Sequence, residues 1–319
     1  MRTRRKVTFA TALITTWLVF FGIFIEVQYL NYCTICYQQD SFYTVSLERN
    51  DASFILLPKI NCKENPPFLV VLITTTHGLK EARMAIRQTW GKARTINDKN
   101  VVAFFLLGTS ASGDQNDQAT LVEEHNTYHD IIQRDFTDVY YNLTLKTIMG
   151  LDWLHHFCPQ ATFAMKTDTD MYINPFNLVY LLLIKNITVN FFTGFLKPNE
   201  FPIRNWFSKW YVSRNEYPHE KYPPFCSGTG YVFSVDVAQK IQAISTSVPF
   251  IKLEDVYMGL CLERLNIPLQ ELHERQTFFP EGLSFSVCAY RGIVASHQVQ
   301  PRDILLYWQA LERSETQKC

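Results

Sequence analysis

"ATFAMKTDTDMYI" occupies residues 161–173. Its apolar start reads as a buried strand, and Asp168 and Asp170 stand one residue apart where that strand ends. Two carboxylates so close repel each other and resist burial. A polar turn explains them without any function. A divalent cation explains them as well, because hard oxygen ligands at this spacing can share one Mg²⁺ or Mn²⁺. The stretch alone leaves both readings open.

Upstream, "FLVVLITTT" (68–76) is a continuous β-branched run, the pattern of a strand covered on both faces. "LKEARMAIRQTWG" (79–91) places Leu79, Ala82, Ala85 and Ile86 at helical spacing, with Gly91 near its end. "NVVAFFLLGTS" (100–110) predicts a second buried strand, and "QNDQATLVEEHNTYHDII" (115–132) and "NLTLKTIMGLDWLHHFC" (142–158) predict helices. With 161–173 as the next strand, strands and helices alternate through this half. That order predicts a mostly parallel α/β sheet with the aspartates beyond a strand's carboxyl end, where such sheets bind ligands. Farther on, "FFTGFL" (191–196) and "GYVFSV" (230–235) read as strands, and "VDVAQKIQAIS" (235–245) and "LEDVYMGLCLERL" (253–265) as helices. No G-x-G-x-x-G or G-x-x-x-x-G-K motif occurs, so neither a Rossmann nor a P-loop phosphate site is indicated.

The chain has 319 residues, 47% of them hydrophobic, enough for one large core or two modest ones. Lys plus Arg equals Asp plus Glu at 30 each, which gives no sign of a nucleic-acid partner. Residues 7–25 carry no charge and are long enough to cross a bilayer; Arg2, Arg4, Arg5 and Lys6 precede them. Phe20, Phe21, Ile23, Phe24 and Ile25 occupy the place where a cleaved signal peptide ends in small residues. A retained signal-anchor therefore fits: cytoplasmic tail 1–6, transmembrane helix 7–25, stem 26–65 ending in "NCKENPP", and a lumenal domain 66–319. Eight cysteines and the sequons at Asn142 and Asn186 agree with an oxidising lumen. Cys33 and Cys36 form a C-x-x-C with no second pair at zinc spacing, and read as membrane-proximal thiols.

"EARMAIRQTWG" (81–91), "DFTDVYYNLTLKT" (135–147), "KTDTDMYIN" (166–174), "YPPFCSGTGYVFS" (222–234) and "KLEDVYMG" (252–259) follow one another in this order. The series resembles the motifs of the β-1,3-glycosyltransferases, from about residue 66 to the C-terminus. In detail, "TTTHGLKEARMAIRQTWGK" (74–92) and "FFLLGTS" (104–110) resemble members that move galactose. The resemblance implies a single-domain GT-A fold, a Rossmann-like mixed sheet covered by helices. It implies a single-pass type II enzyme of the Golgi membrane that uses Mn²⁺ and inverts the anomeric centre. The implied reaction moves galactose from UDP-galactose in β-1,3 linkage to glycoprotein and glycolipid glycans ending in GlcNAc, or in GalNAc. The alternatives are transfer of GlcNAc from UDP-GlcNAc and, more distantly, an inactive glycan-binding member.

Residue by residue, the resemblance makes Asp168 and Asp170 the metal strap, with Thr169 between them, and His297 in "IVASHQV" a third ligand. Without it, His297 reads as a solvated loop residue. Asp255 falls where the family has its general base. Taken alone, "LEDV" is equally well a charged helix N-terminus, with Glu254 an acceptor contact or supporting charge. Donor contacts are expected from Thr74, Arg83, Arg87, Lys166, Gly228 and Gly230, the glycines permitting close backbone approach beneath the sugar. Arg83 and Arg87 lie four apart, a spacing that equally suits a salt-bridged pair. In "NWFSKWYVSRNEYPHEKYPPF" (205–225) the interleaved charges oppose full burial, so Trp206, Trp210 and Tyr217 are acceptor candidates. By the same resemblance, Cys158 is expected to pair with Cys226 and Cys261 with Cys288.

Overall fold

The computed structural model describes residues 54–314 and residue 319. The tail, the expected transmembrane helix at 7–25, Cys33, Cys36 and most of the expected stem lie outside the described residues. Among the described residues no helix is long and apolar enough to cross a membrane.

Buried apolar runs form the strands in chain order: β1 (Leu69–Thr74), then α1 (Lys80–Gln88), β2 (Arg94–Ile96) and β3 (Lys99–Thr109). Next come α2 (Gln115–Tyr128), β4 (Ile131–Thr137), α3 (Leu143–Phe157), β5 (Phe163–Asp168), β6 (Tyr172–Ile173) and α4 (Pro175–Lys185). The second half holds β7 (Phe192–Lys197), β8 (Phe225–Ser234), α5 (Val235–Ile244) and α6 (Glu254–Arg264). Last are β9 (Phe278–Phe279), α7 (Val287–Gly292), β10 (Ala295–Ser296) and α8 (Pro301–Arg313).

The main sheet runs β2-β3-β1-β5-β8-β7, with β4 also on β3. Strands β4, β3, β1 and β5 are mutually parallel, while β8 is antiparallel to β5 and to β7. All six residues of β1 are buried, as its β-branched composition demands of a strand covered on both faces. This is a mixed α/β fold with a central sheet and covering helices. A small second sheet, β6-β10-β9, stands apart from the main one.

Three expectations need correction. The run 115–132 is not one helix: His129 takes a left-handed conformation (φ 53°) that caps α2, and Ile131 begins β4. The apolar Ile-Ile end of that stretch belongs to the sheet. The folded unit also starts before residue 66. Ile55 and Leu56 bond to Gln133 of β4, and Cys62 is buried in a disulfide with Cys158 at the end of α3.

The disulfides differ most. Cys158 pairs with Cys62 (Cα–Cα 5.1 Å), and Cys288 pairs with Cys319 (Cα–Cα 5.3 Å). Cys226 and Cys261 are free and buried, so neither expected pair, Cys158–Cys226 or Cys261–Cys288, is present. The reason is position. Cys226 lies inside the main sheet on β8, its Cβ 3.1 Å from where a Cβ on Gly194 of β7 would stand, whereas Cys158 ends α3 beside the entering chain. Burial pushes the Cys261 thiol up to about 12, as for a small core side chain.

Candidate active site

The parallel strands β1 and β5 pair in register, so Thr74 and Asp168 end the two strands side by side. Thr74 Oγ1 donates to Asp168 Oδ1. Lys166, two residues earlier on the same face of β5, donates from Nζ to Asp168 Oδ1 at 2.8 Å and to the Gly228 carbonyl at 2.6 Å. The same ammonium stands 3.6 Å from Glu254 Oε2. Burial opposes charge on Lys166, but the carboxylates of Asp168 and Glu254 outweigh it, and its pKa is raised. Lys166 therefore stays protonated and ties β5, β8 and α6 together at one point.

The small sheet delivers the next group. Antiparallel pairing of Ser296 with Tyr172 and Ala295 with Ile173 carries the chain past β6 toward Asp170. Gln298 then takes a left-handed turn (φ 62°), and the Val299 N–H returns to the Asp170 carbonyl at 2.9 Å. His297 is thus held with Nε2 3.1 Å from Asp170 Oδ2, across 127 positions of sequence. Its Nδ1 stands 2.8 Å from the Pro280 carbonyl, an oxygen that can only accept, so Nδ1 carries the hydrogen and donates it there. With Nδ1 fixed as a donor, Nε2 faces the carboxylate: protonated, it donates to Asp170, and on losing that proton it offers its lone pair to a metal, as ligating histidines do when a carbonyl holds their other nitrogen.

Burial would raise the Asp170 carboxyl, but its bond to His297 wins and holds it below the usual range. Among the described residues no group of three His, Cys, Asp or Glu side chains is gathered closely enough to hold a metal ion as it stands. The donor set of Asp170, Asp168 and His297 nevertheless fits Mn²⁺ chemically, with hard oxygens plus imidazole and positions left for phosphate and water.

Across the same cleft α6 begins. Asp255 Oδ1 accepts from the Val256 N–H at 2.9 Å, and Oδ2 accepts from the Gly228 N–H at 3.2 Å. Burial raises its pKa; these two backbone bonds oppose the rise without cancelling it. Glu254 is buried and accepts from the Tyr231 hydroxyl through Oε1. Its pKa is raised by burial, with Lys166 pulling the other way and Asp255 adding to the rise. A Cβ on Gly228 would stand 3.4 Å from carboxylate atoms of both, so β8 passes close beside the acid pair at this residue.

These groups line one cleft of about 600 Å³, together with Lys197, Lys209, Trp210, Tyr222, Lys252 and Tyr140. Of the expected site residues, Asp168, Asp170, His297, Asp255, Glu254, Lys166, Gly228 and Trp210 line it. Gly230 does not: it pairs with Thr167 between β8 and β5. Nor do the two arginines. Arg83 is bidentate to Glu124 (2.7 and 2.7 Å) and donates to the Thr76 carbonyl at 2.6 Å. Arg87 is bidentate to Asp130 (2.7 and 2.9 Å) and 2.8 Å from Glu124. Arg83 holds the loop after β1, Arg87 ties α1 to α2 and the turn after it, and neither lines the cleft. Tyr217 is buried with its hydroxyl on the Lys221 carbonyl at 2.9 Å, and Trp206 lies half-exposed outside the cleft lining.

Tyr140, Lys197, Lys252 and Tyr222 went unnoticed in the sequence. Three of them sit inside or beside the motifs already quoted, at "DVYYN", "KLED" and "YPPF". Their signal was that polar aromatics and lysines recur next to the acidic motifs.

Both sequons are described. Thr144 of the first is fully buried and donates to the Ile251 carbonyl at 2.9 Å, while Asn142 Nδ2 donates to the Thr137 carbonyl at 2.8 Å. Asn186 is exposed in the left-handed cap that ends α4.

Comparison with known proteins gives the family. Residues 81–273 match the family model described as "Galactosyltransferase". The chain is 59% identical to "Beta-1,3-galactosyltransferase 5" of Homo sapiens over 85% of its own length and 87% of that protein. It is 54% identical to the Mus musculus protein of that name, over 89% and 92%. To "Beta-1,3-galactosyltransferase 2" of Homo sapiens it is 42% identical, over 83% of this chain and 64% of that one. With its acidic cleft inside the matched region and identity of this degree across most of its length, the chain belongs to the galactosyltransferase family.

Proposed function

We propose that this chain transfers galactose from UDP-galactose, in β-1,3 linkage, to the 3-hydroxyl of terminal GlcNAc or a related hexosamine on glycoprotein and glycolipid glycans. Family membership supports galactosyl transfer, and the names of the relatives support the linkage. The observation that carries the chemistry is one cleft with unlike acids on its two sides. Asp168, Asp170 and His297 stand on one side and Asp255 on the other, with Lys166 bonded to Asp168 and within 3.6 Å of Glu254.

Asp168, Asp170 and His297 Nε2 are the groups that would hold Mn²⁺. When bound, the ion offsets the charge gathering on the departing diphosphate. Lys166, kept protonated, holds Asp168 in place and adds a fixed positive charge to the floor of the site. Asp255 takes the proton of the acceptor hydroxyl at a carboxylate oxygen as the hydroxyl oxygen bonds to the anomeric carbon and the bond from that carbon to the diphosphate breaks. UDP departs from the opposite face, and a single displacement inverts the centre. The Gly228 and Val256 N–H groups fix the carboxylate's direction, and its raised pKa makes it a stronger base than a free aspartate. The same proposal places the chain in the Golgi membrane as a single-pass type II protein with this domain lumenal, occupied by glycan at Asn186 or Asn142.

The test is direct. Full-length protein in detergent is assayed with UDP-galactose or UDP-GlcNAc on a β-GlcNAc-terminated acceptor, with Mn²⁺ or with EDTA, and the product linkage is read by NMR. A β-1,3-galactoside formed only with metal is the expected result. GlcNAc transfer would replace the donor, and undiminished activity in EDTA would remove the metal.

A further inference from the structure

Residues 198–224 join β7 to β8 with no helix and a lone bridge, Ile203 to Tyr211. A connection of this length without regular structure is uncommon in a compact domain and usually serves function. This one supplies Glu200, Phe201, Ile203, Lys209, Trp210 and Tyr222 to the cleft. Something must hold such a wall still, and one side chain does most of it. Arg204 Nη1 donates to the carbonyls of Val212 and Ser213, both at 2.8 Å. Its Nη2 donates to those of Tyr217 at 2.7 Å and His219 at 2.9 Å. Only a planar fork of donors can gather four carbonyls from one loop in this way. Beside it, the Val212 N–H closes on the Ile203 carbonyl at 3.1 Å, so Lys209 and Trp210 ride on a loop pinned at its base.

The wall is also tied to the acid side. Lys252 stands 3.4 Å from Glu216 and 5.6 Å from the centre of the Tyr211 ring, three residues before Asp255. Arg204 itself does not line the cleft.

We infer that Arg204 is a positioning residue for the carbohydrate acceptor, holding the wall of Phe201, Ile203, Lys209 and Trp210 at a fixed distance from Asp255. This rests on the transfer reading above. The donor's diphosphate contacts lie with Asp168, Asp170 and Lys166, outside this loop, so the two substrates should respond differently.

The experiment compares full-length parent, Arg204→Lys and Arg204→Met; the lysine variant keeps the charge and guards against a protein that fails to fold. Acceptor KM should rise roughly tenfold or more, since small misplacements of a binding wall cost that much. The KM for UDP-galactose and its slow hydrolysis without acceptor should stay within about twofold. Arg204→Lys should recover only part of the loss, because an ammonium cannot span four carbonyls. Trypsin should nick both variants faster at Lys209, Arg214 or Lys221 than elsewhere. Unchanged acceptor KM in both variants overturns the inference, as do equal losses for donor and acceptor with a lower Tm. If the parent itself transfers no galactose, the transfer reading fails and digestion decides alone. Faster nicking confined to 205–221 then supports the clamp, and digestion no faster than in the parent overturns it.

Discussion

Two pairs of neighbouring carboxylates face the same cleft, and the fold treats them oppositely. Asp168 and Asp170 end a strand with side chains 32% and 51% exposed, and the Asp170 carboxyl is held low by His297. Glu254 and Asp255 open a helix, line the deeper wall, and have their pKa values raised by burial. A carboxylate kept ionised, half-open and beside an imidazole suits a cation. One whose surroundings make it reluctant to ionise, as at the partly exposed Asp255 beside buried Glu254, suits a proton. Sequence shows two acidic dipeptide-like motifs; burial and partners divide the labour.

Breaking the first pair should have the larger effect. Asp170→Ala should abolish metal-dependent transfer and Asp168→Ala nearly so. Losing the ion should cost several kcal/mol of barrier, where each 1.36 kcal/mol is tenfold in rate. Rates measured against Mn²⁺ concentration check this, and a variant with parental activity in EDTA would move the ion elsewhere. Breaking the second pair at Asp255→Asn should leave UDP and Mn²⁺ binding intact, by calorimetry, while transfer falls roughly 10²-fold or more. Near-parental turnover would transfer the role of base to Glu254. Glu254 is poorly free for that role, with Oε1 accepting from the Tyr231 hydroxyl and Oε2 3.6 Å from the Lys166 ammonium. His297→Ala should act less: Mn²⁺ affinity should drop by at least the roughly tenfold that losing an outer partner costs, with the fold retained. Unchanged metal dependence would make the bond to Asp170 purely structural.

How far the sequence carried depends on where information was local. The β1, β3 and β5 runs and the helices α1 and α3 were legible because apolar period and burial coincide in them. The carboxyl-end position of Asp168 followed from strand order alone. What escaped was non-local. Nothing in "IVASHQV" announces that a two-residue strand, β10, will seat His297 against Asp170. Arg83 and Arg87 have the right spacing for a ligand clamp, and only Glu124 and Asp130, brought from α2 and the turn after it, show that they are already paired. Cys62 lay in an expected stem, so its partner could not be deduced. The wall at 198–224 lacks any period, and its geometry depends on a single arginine bonded to four carbonyls.

The smallest predicted effect is the one that most sharply separates the two acidic pairs, and it concerns stability. Asp255 has a folded pKa above that of the unfolded chain, which lies near the usual ~3.9. Below that value both states bind the proton and the group contributes nothing to the difference. As pH rises past the ordinary value and through the raised one, the unfolded chain gives up its proton first. The native state then binds more protons than the unfolded one, and stability falls with pH. Ionised Asp255 is thus a cost to the fold that catalysis requires, and Asp255→Asn should remove it. Asn still serves at a helix N-terminus, although it forgoes the attraction of a negative charge to the helix dipole, worth about 0.3–1 kcal/mol. Thermal melts of parent and variant from pH 4 to pH 8 should show the variant equal or slightly higher in Tm at neutral pH. The gap should close toward acid, where the parent carboxyl is protonated. The acid limb of the parent's activity should lie above the ordinary carboxylate range for the same reason. A variant less stable than the parent at neutral pH, with the deficit vanishing in acid, would mean the two backbone bonds and the helix end outweigh burial. Asp255 would then belong with Asp170, as a carboxylate the fold prefers charged.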